Sequence, residues 1–474
     1  MAGALVVALV VIVAGVFAAP VSGPLGLIVV VAGGATAALI LGSPLAALVM
    51  LMITSFLRLA LQVGGLPAEP MVLILCAMVV SVLFAVMRGS QQFRFGALEA
   101  AMLAYLLWNA LSAVVPHALP AVVPGTGETI SVFRFILTGT VIPFAGFIVA
   151  RATLRVESRV RTMMIGLVVV AAYSAVVSIL QFTGPDTLVW PRYIVDAPSY
   201  PERAVGVVNQ PLVNGLIMVA GFVTAMFLAQ HRSLRLPVRL LVLLAALLCL
   251  PGIYLTKTRA AWLVFGLGVV LCAVFARRAR PGFVVTLLAA AVFIGANWAT
   301  FTSSDREAGG VGSAGEVDDR LNTAATSFWA IEQEPLAGWG IGRFTQVNTT
   351  YHKQWEPNID FRRGYSISSH ENELGIAAEL GLVGLALWLL VLVLLFRKLL
   401  VSVRRLPVHG LAGRALGLVA LTVFGTWVVS GFTADLRFFD FANLLTFVLI
   451  GATVGAADEV EPSSGDRVAV EDPR

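Results

Sequence analysis

The feature that most limits what this chain can become is a run of apolar stretches, each about as long as a bilayer is thick. A helix rises about 1.5 Å per residue, so crossing roughly 30 Å of hydrocarbon takes about 20 residues. About fourteen stretches meet that requirement: 3–19, 24–42, 44–62, 69–87, 97–115, 132–150, 163–181, 207–229, 237–255, 260–276, 282–300, 373–396, 412–431 and 438–456. They predict an all-α polytopic integral membrane protein. The composition agrees: charged residues make up 12% of the chain, about half the share in a soluble protein. Met1–Ala19 has no basic n-region and reads as the first span, not as a signal peptide. Cys76, Cys249 and Cys272 all lie in apolar runs, with no disulfide or metal spacing.

Arginine placement tests the span count. With a cytoplasmic N-terminus, the basic loops around Arg88/Arg94, Arg151–Arg161, Arg232–Arg239, Arg277–Arg280 and Arg397–Arg405 all fall on one side, as the positive-inside rule requires. The opposite face holds two long connections, Thr183–Gly206 and Phe301–Ser369. The second is far beyond the usual loop length, which points to function. Within it Leu321, Ala324, Ala325, Phe328 and Ile331 recur at helical spacing, predicting an amphipathic helix over Asp319–Glu334. Pro335 ends that helix and GWGIGRF follows as a tight turn. The expected organisation is one membrane domain, 1–457, with the outer loop 301–369 inserted between spans. A polar tail, 458–474, is expected to be disordered in the cytoplasm.

Several cations fall on the outer side: Arg58, Arg134, Lys257, Arg259, Arg320, Arg343 and Arg437. A charge there needs a partner. A carboxylate such as Glu128, Glu371, Glu373 or Asp435 would serve. So would an anionic ligand such as phosphate, which arginine grips with two parallel hydrogen bonds. Taken together, the outward arginines favour the ligand, because the acidic residues are too scattered to neutralise them all. The net charge of +5 is no argument for nucleic acid, since the basic residues cluster beside spans. The segment Ser368-Ser369-His370-Glu371 reads as a Ser-capped helix start with His370 in the first turn. There the helix dipole and nearby guanidiniums favour a neutral ring that accepts a proton, oriented by Glu371 or Glu373. No nucleophile elbow, P-loop or zinc signature is present, and neither metal nor cofactor is expected.

Four blocks, in order, resemble the O-antigen ligase and O-antigen polymerase superfamily of bacterial membrane glycosyltransferases. GVVNQPLVNGL (205–215) is similar to a Gly–Asn–Gln–Pro–Asn block, with Leu212 where Asn is usual. LTKTRAAWL (255–263) resembles a Thr-x-Ser-Arg block, with Thr258 for Ser. DDRLNTAATSFWAIEQEPLAGWGIGRF (318–344) resembles an Arg–helix–Pro-Leu-x-Gly-x-Gly segment. SHENELGIAAELGLVGL (369–385) resembles the His-Asn-x-x-Leu…Glu-Leu-Gly-x-x-Gly signature, with Glu371 displacing Asn372 by one.

The resemblance implies transfer of a glycan from a polyprenyl-pyrophosphate carrier to an acceptor hydroxyl on a glycan, lipid or protein. The reaction would occur at the outer face of the bacterial cytoplasmic membrane, without metal and with inversion. It makes His370 the base, and Arg259 and Arg320 the pyrophosphate ligands. Gln210 and Asn209 would contact sugar or phosphate. Position adds Arg134 and Arg343, and Glu371 and Asn372 complete the expected site. A transporter of anionic or lipid-linked precursors is the rival reading. It suits many spans with intramembrane arginines, but no inverted repeat is visible, and the charges gather at one face, not at the midplane.

Overall fold

The computed structural model describes residues 34, 36–61, 68–124, 126–231, 233–303, 314–357 and 367–460. Its main helices are α1 (Pro44–Phe56), α2 (Pro70–Met87), α3 (Ala97–Val114), α4 (Val132–Thr153), α5 (Glu157–Thr183), α6 (Pro211–Ala229) and α7 (Leu236–Leu255). They continue as α8 (Arg259–Phe275), α9 (Arg280–Ala296), α10 (Ala314–Gln333), α11 (Phe344–Tyr351), α12 (Asn372–Arg405), α13 (Leu411–Gly431) and α14 (Asp440–Val460). Helices α1, α2, α6, α7 and α9 carry proline in their first turn. There the missing N–H would have had no partner anyway and the ring presets φ.

Among the described residues nine helices are long and apolar enough to cross a membrane, and α1, α8 and α9 are apolar but shorter. Twelve of the expected spans coincide with these helices. The expected span 3–19 lies outside the described residues, as does most of 24–42. Of the expected tail, 461–474 lies outside them too, while α14 itself runs to Val460.

Helix α14 is the post around which the bundle packs. Every residue from Asp440 to Ala457 is buried. Its tightest neighbour is α4, and small residues set the distance: a Cβ on Gly451 would stand 2.4 Å from the Phe147 carbonyl oxygen. Without a hydrophobic force between helices in lipid, such close backbone approach is what holds spans together.

Helix α12 is not continuous. Gly381 has φ 68° and ψ −177°, which breaks the ladder inside a long apolar run. The backbone groups freed there are taken up by the outer loop and by α3. Trp339 N–H donates to the Ala378 carbonyl (3.0 Å) and Gly340 N–H to the Glu379 carbonyl (2.8 Å). Leu382 N–H donates to the Pro335 carbonyl (2.7 Å), and Trp108 Nε1 donates to the Leu380 carbonyl (2.9 Å). The expected Gly-rich turn is present, with Gly338, Gly340 and Gly342 all at positive φ, and it wraps this break.

Helix α10 turns a mixed face inward: Ala324 and Ala330 are buried with Asn322, Thr323, Thr326 and Ser327, while Phe328 is 52% exposed. The hydroxyls make this possible by donating to carbonyls three or four residues back, as Thr323 does to Arg320 and Ser327 to Thr323. One expectation needs correction: His370 is not in the first turn of a Ser-capped helix. Helix α12 starts at Asn372 with Glu371 as the N-cap residue. The Ser369 hydroxyl donates to the Glu371 carbonyl instead of capping, and His370 has φ 55°, a left-handed conformation that keeps it outside the helix.

Candidate active site

Four long helices begin at one place. Asn209 and Gln210 precede α6, Thr258 precedes α8, His370 and Glu371 precede α12, and Phe439 precedes α14. Residues from all four starts line a cavity of about 990 Å³, among them Asn209, Gln210, Thr258, Ser368, His370 and Phe439. Each helix N-terminus carries partial positive charge and outward-pointing amides, so four together favour an anion.

The approach to this cavity is strained. Among the described residues three non-glycines lie in the left-handed region: Asn209 (φ 50°), Lys257 (φ 43°) and His370 (φ 55°). Asn209 and His370 line the cavity, and Lys257 adjoins its lining residue Thr258. Such conformations cost about 1–3 kcal/mol each, persist only where the surroundings enforce them, and gather at functional sites. For Asn209 the enforcement is visible. The Asn209 side-chain oxygen accepts from Ser199 N–H at 2.9 Å, and Gln210 caps α6 by accepting from Val213 N–H at 3.1 Å. Asn214 clasps the same turn, donating to Ser178 Oγ (2.8 Å) and to the Ala204 carbonyl (3.1 Å).

Behind the cavity wall lies a buried ionic cluster. Arg437, 5% exposed, donates from Nη2 and Nε to Asp435 (2.6 and 2.9 Å) and from Nη1 to Glu379 (2.7 Å). Two carboxylates hold its proton so firmly that its pKa rises although burial opposes this. The other Glu379 oxygen accepts from Phe344 N–H at 2.9 Å, and Thr138 of α4 donates to the Arg437 carbonyl at 3.2 Å. Both Glu379 and Asp435 face the cavity. The cluster therefore ties α12, the outer loop, α4 and the α13–α14 turn into one wall. For Arg437 the carboxylate reading of the outward arginines holds.

The expected site residues divide. Arg320, His370, Asn209 and Gln210 all line the cavity. Arg259 is exposed at the first position of α8, and its neighbours Thr258 and Ala260 are lining residues. Glu371 stands beside the site: burial and Glu373 push its carboxyl up, and Arg320 pulls it back. Asn372 is a buried brace, donating to Glu373 and accepting from Leu436 N–H at 3.2 Å. Arg134 does not line the cavity and pairs with Glu69 at 3.2 Å. Arg343 also lies outside the lining, with its guanidinium on the Leu119 and Ile341 carbonyls. Sequence reasoning missed Arg203, Tyr200 and Asp319, all lining residues. Arg203 lies over the Tyr200 ring at 5.3 Å, in the shorter outer connection, Thr183–Gly206.

Residues 244–389 match the family model described as O-antigen ligase. Over this segment the chain is similar to the O-antigen ligase family. The matched ligase segment contains Arg259, Arg320, His370 and Glu379, and the cavity wall is completed from outside it by Asn209, Gln210 and Asp435. At the family level this is a membrane enzyme that transfers glycans. No curated protein matches the chain.

Proposed function

We propose that the chain transfers a glycan from a polyprenyl-pyrophosphate carrier to an acceptor hydroxyl at the outer face of the cytoplasmic membrane. The observation that carries this reading is the meeting of Arg320 and His370 in one cavity ringed by four helix N-termini. Arg320 and the neighbouring Arg259, with the helix ends, neutralise the pyrophosphate and stabilise it as it departs. The acceptor oxygen attacks the anomeric carbon while the bond to the pyrophosphate oxygen breaks, and His370 takes the hydroxyl proton. Direct displacement by an external hydroxyl inverts the anomeric centre.

The outer-face assignment is supported by the other end of the bundle. Helix α14 begins at the cavity and carries Asp458 in its last turn, where Arg94 and Arg151 gather. From Asp440 to Asp458 it rises about 27 Å, so cavity and basic cluster stand nearly a bilayer core apart, the cluster on the side that positive-inside placement makes cytoplasmic.

The test is transfer from a purified polyprenyl-pyrophosphate glycan in proteoliposomes. Arg320→Ala is expected to abolish transfer, with Arg320→Lys a partial rescue because a point charge lacks the fork. His370→Ala is expected to lower kcat by about 10²–10⁴, the range for a positioned base, without lowering the melting temperature. A folded His370→Ala protein working at the parent rate removes the base from the mechanism.

A further inference from the structure

The irregular turn that follows α10 lies at an unusual depth. Pro335 ends the helix, and Gly338 N–H closes the turn on the Glu334 carbonyl at 3.1 Å. The turn's backbone sits hard against the break in α12: a Cβ on Gly381 would stand 2.1 Å from the Leu336 carbonyl oxygen. The Leu336 side chain points the other way and is 70% exposed. It continues a surface that runs down α12 through Leu382, Leu389, Leu390 and Val393, all exposed. No charge interrupts that helix from Leu380 to Phe396, so the surface it continues is the lipid-facing flank of a span.

Two lengths measure how deep the turn lies. The charged cluster of Glu99, Arg151 and Asp458 marks the far side of the membrane or lies beyond it, and Lys398 of α12 interacts with all three. Gly381 stands 17 residues above Lys398, about 26 Å along the helix. On α3, Trp108 stands nine residues above Glu99, about 14 Å, and its indole reaches the Leu380 carbonyl. Both lengths fall short of the roughly 30 Å of hydrocarbon, so the break and the turn around it lie below the membrane surface on the cavity's side. An exposed leucine on a soluble surface means little. At this depth its surroundings are acyl chains. Glu332 and Glu334 are exposed just before the turn and belong among the headgroups, so the immersed part is the tip alone.

We infer that Pro335–Ala337 is a membrane-inserted tip, and that the acyl chains of the cavity-side leaflet, closing over Leu336, hold α10 at the cavity. Helix α10 carries Arg320, a lining residue. Its first half therefore meets the cavity while its far end is moored in lipid. Three hydrogen bonds join the loop to α12 on either side of Gly381, from Trp339, Gly340 and Leu382. They pair the irregular backbone, which lipid tolerates only when its polar groups are satisfied. The leaflet adds the apolar burial that water would not supply. The position of α10 then depends on the bilayer as well as on the fold, whatever the cavity binds.

Spin labels in vesicles of phosphatidylethanolamine and phosphatidylglycerol test the depth. The label goes on Leu336→Cys in a Cys76→Ala background, because Cys76 is exposed while Cys249 and Cys272 are buried. Leu389→Cys, exposed lower on α12, is the lipid reference, and Glu356→Cys, exposed in the outer loop, is the water reference. Leu336→Cys is expected to match Leu389→Cys, colliding readily with oxygen and little with a water-soluble nickel chelate. Ready collision with the chelate, as at Glu356→Cys, puts the turn in water and overturns the inference. Protection from both reagents means that protein covers Leu336, and overturns it too. The mooring is read by amide exchange across Asp319–Gln333 in the same vesicles. Leu336→Asp is expected to speed exchange there at least about tenfold, the worth of one leucine side chain in apolar surroundings, while Leu336→Met leaves it unchanged. Unchanged exchange in a correctly inserted Leu336→Asp protein overturns the mooring. The labels need no acidic substitution, so they decide the depth even where Leu336→Asp fails to insert.

Discussion

The two ends of helix α14 are built from the same parts and differ in purpose. At each end one buried arginine is held by two carboxylates from separate elements. At the lower end Arg151 donates to Glu99 at 2.6 Å and to Asp458 at 2.9 Å. The void beside it is about 10 Å³, room for one water. At the upper end Arg437 is held by Asp435 and Glu379, yet both of those carboxylates also face a cavity of about 990 Å³. Among the described residues the left-handed non-glycines gather at the upper end, whereas helix starts occur at both, Glu99 itself lying in the first turn of α3. A buried ion pair is therefore no sign of a site in itself. What marks the upper end is that its satisfied cluster forms the wall of an open hollow with strained residues in its lining.

Removing each arginine breaks this comparison most severely. Arg437→Ala should lower stability by about 3–5 kcal/mol, because it leaves Asp435 and Glu379 buried without their cation, and Arg151→Ala by somewhat less, because only Glu99 is left so while Asp458 keeps Arg94. Only Arg437→Ala should also lower transfer per folded molecule. Thermal unfolding in detergent alongside turnover in proteoliposomes separates the two effects. Where the alanine variants fail to insert, Glu379→Gln and Glu99→Gln pose the same question more gently. Equal losses of turnover at both ends would show that the ends are not functionally distinct.

A smaller effect concerns the strain at His370. Glycine adopts φ 55° freely, whereas alanine keeps the penalty of about 1–2 kcal/mol. His370→Gly should therefore melt higher than His370→Ala while both lose transfer. Equal melting temperatures would mean that the loop relaxes and stores nothing.

The smallest effect is a pH slope. Burial and Glu373 raise the Glu371 carboxyl above its ordinary value, so the folded protein keeps a proton that the unfolded chain has lost. Stability from this group then falls as pH rises from the ordinary carboxylate range through the raised value. Glu371→Gln should flatten that fall, and Arg320→Ala, which removes the opposing cation, should steepen it. Parallel melting curves for parent and Glu371→Gln across that range would show that the raised carboxyl is not linked to folding.

The spans were legible because lipid leaves a chain few options: an uncharged run such as 441–456 has to become a helix like α14. The site was legible in part, through four short blocks, three of which sit at helix starts while the fourth carries Arg320 within α10. What stayed hidden depends on distance in sequence or on a single backbone angle. Glu379 finds Arg437 58 residues on, and no local pattern announces that pair. The break at Gly381 lies inside an apolar run whose hydropathy does not change. His370 obeys its φ and not the Ser-cap rule, because Ser369 spends its hydroxyl on Glu371. In α10 the hydroxyl face went inward because its own carbonyls satisfied it, which an apolar-stripe reading does not see.

The burial of α14 has a consequence for biogenesis. The ion pair between Arg151 and Asp458 joins residues 307 apart in sequence, and α4 lies against the last described helix along most of its length. During synthesis α4 enters the membrane long before its main neighbour is made. Until then its glycine-lined face has only lipid or a stand-in helix against it. The outer walls of this protein are laid down first and its keystone arrives last, so a ribosome that stalls before α14 leaves a ring of spans with no centre, a form that membrane quality control can recognise.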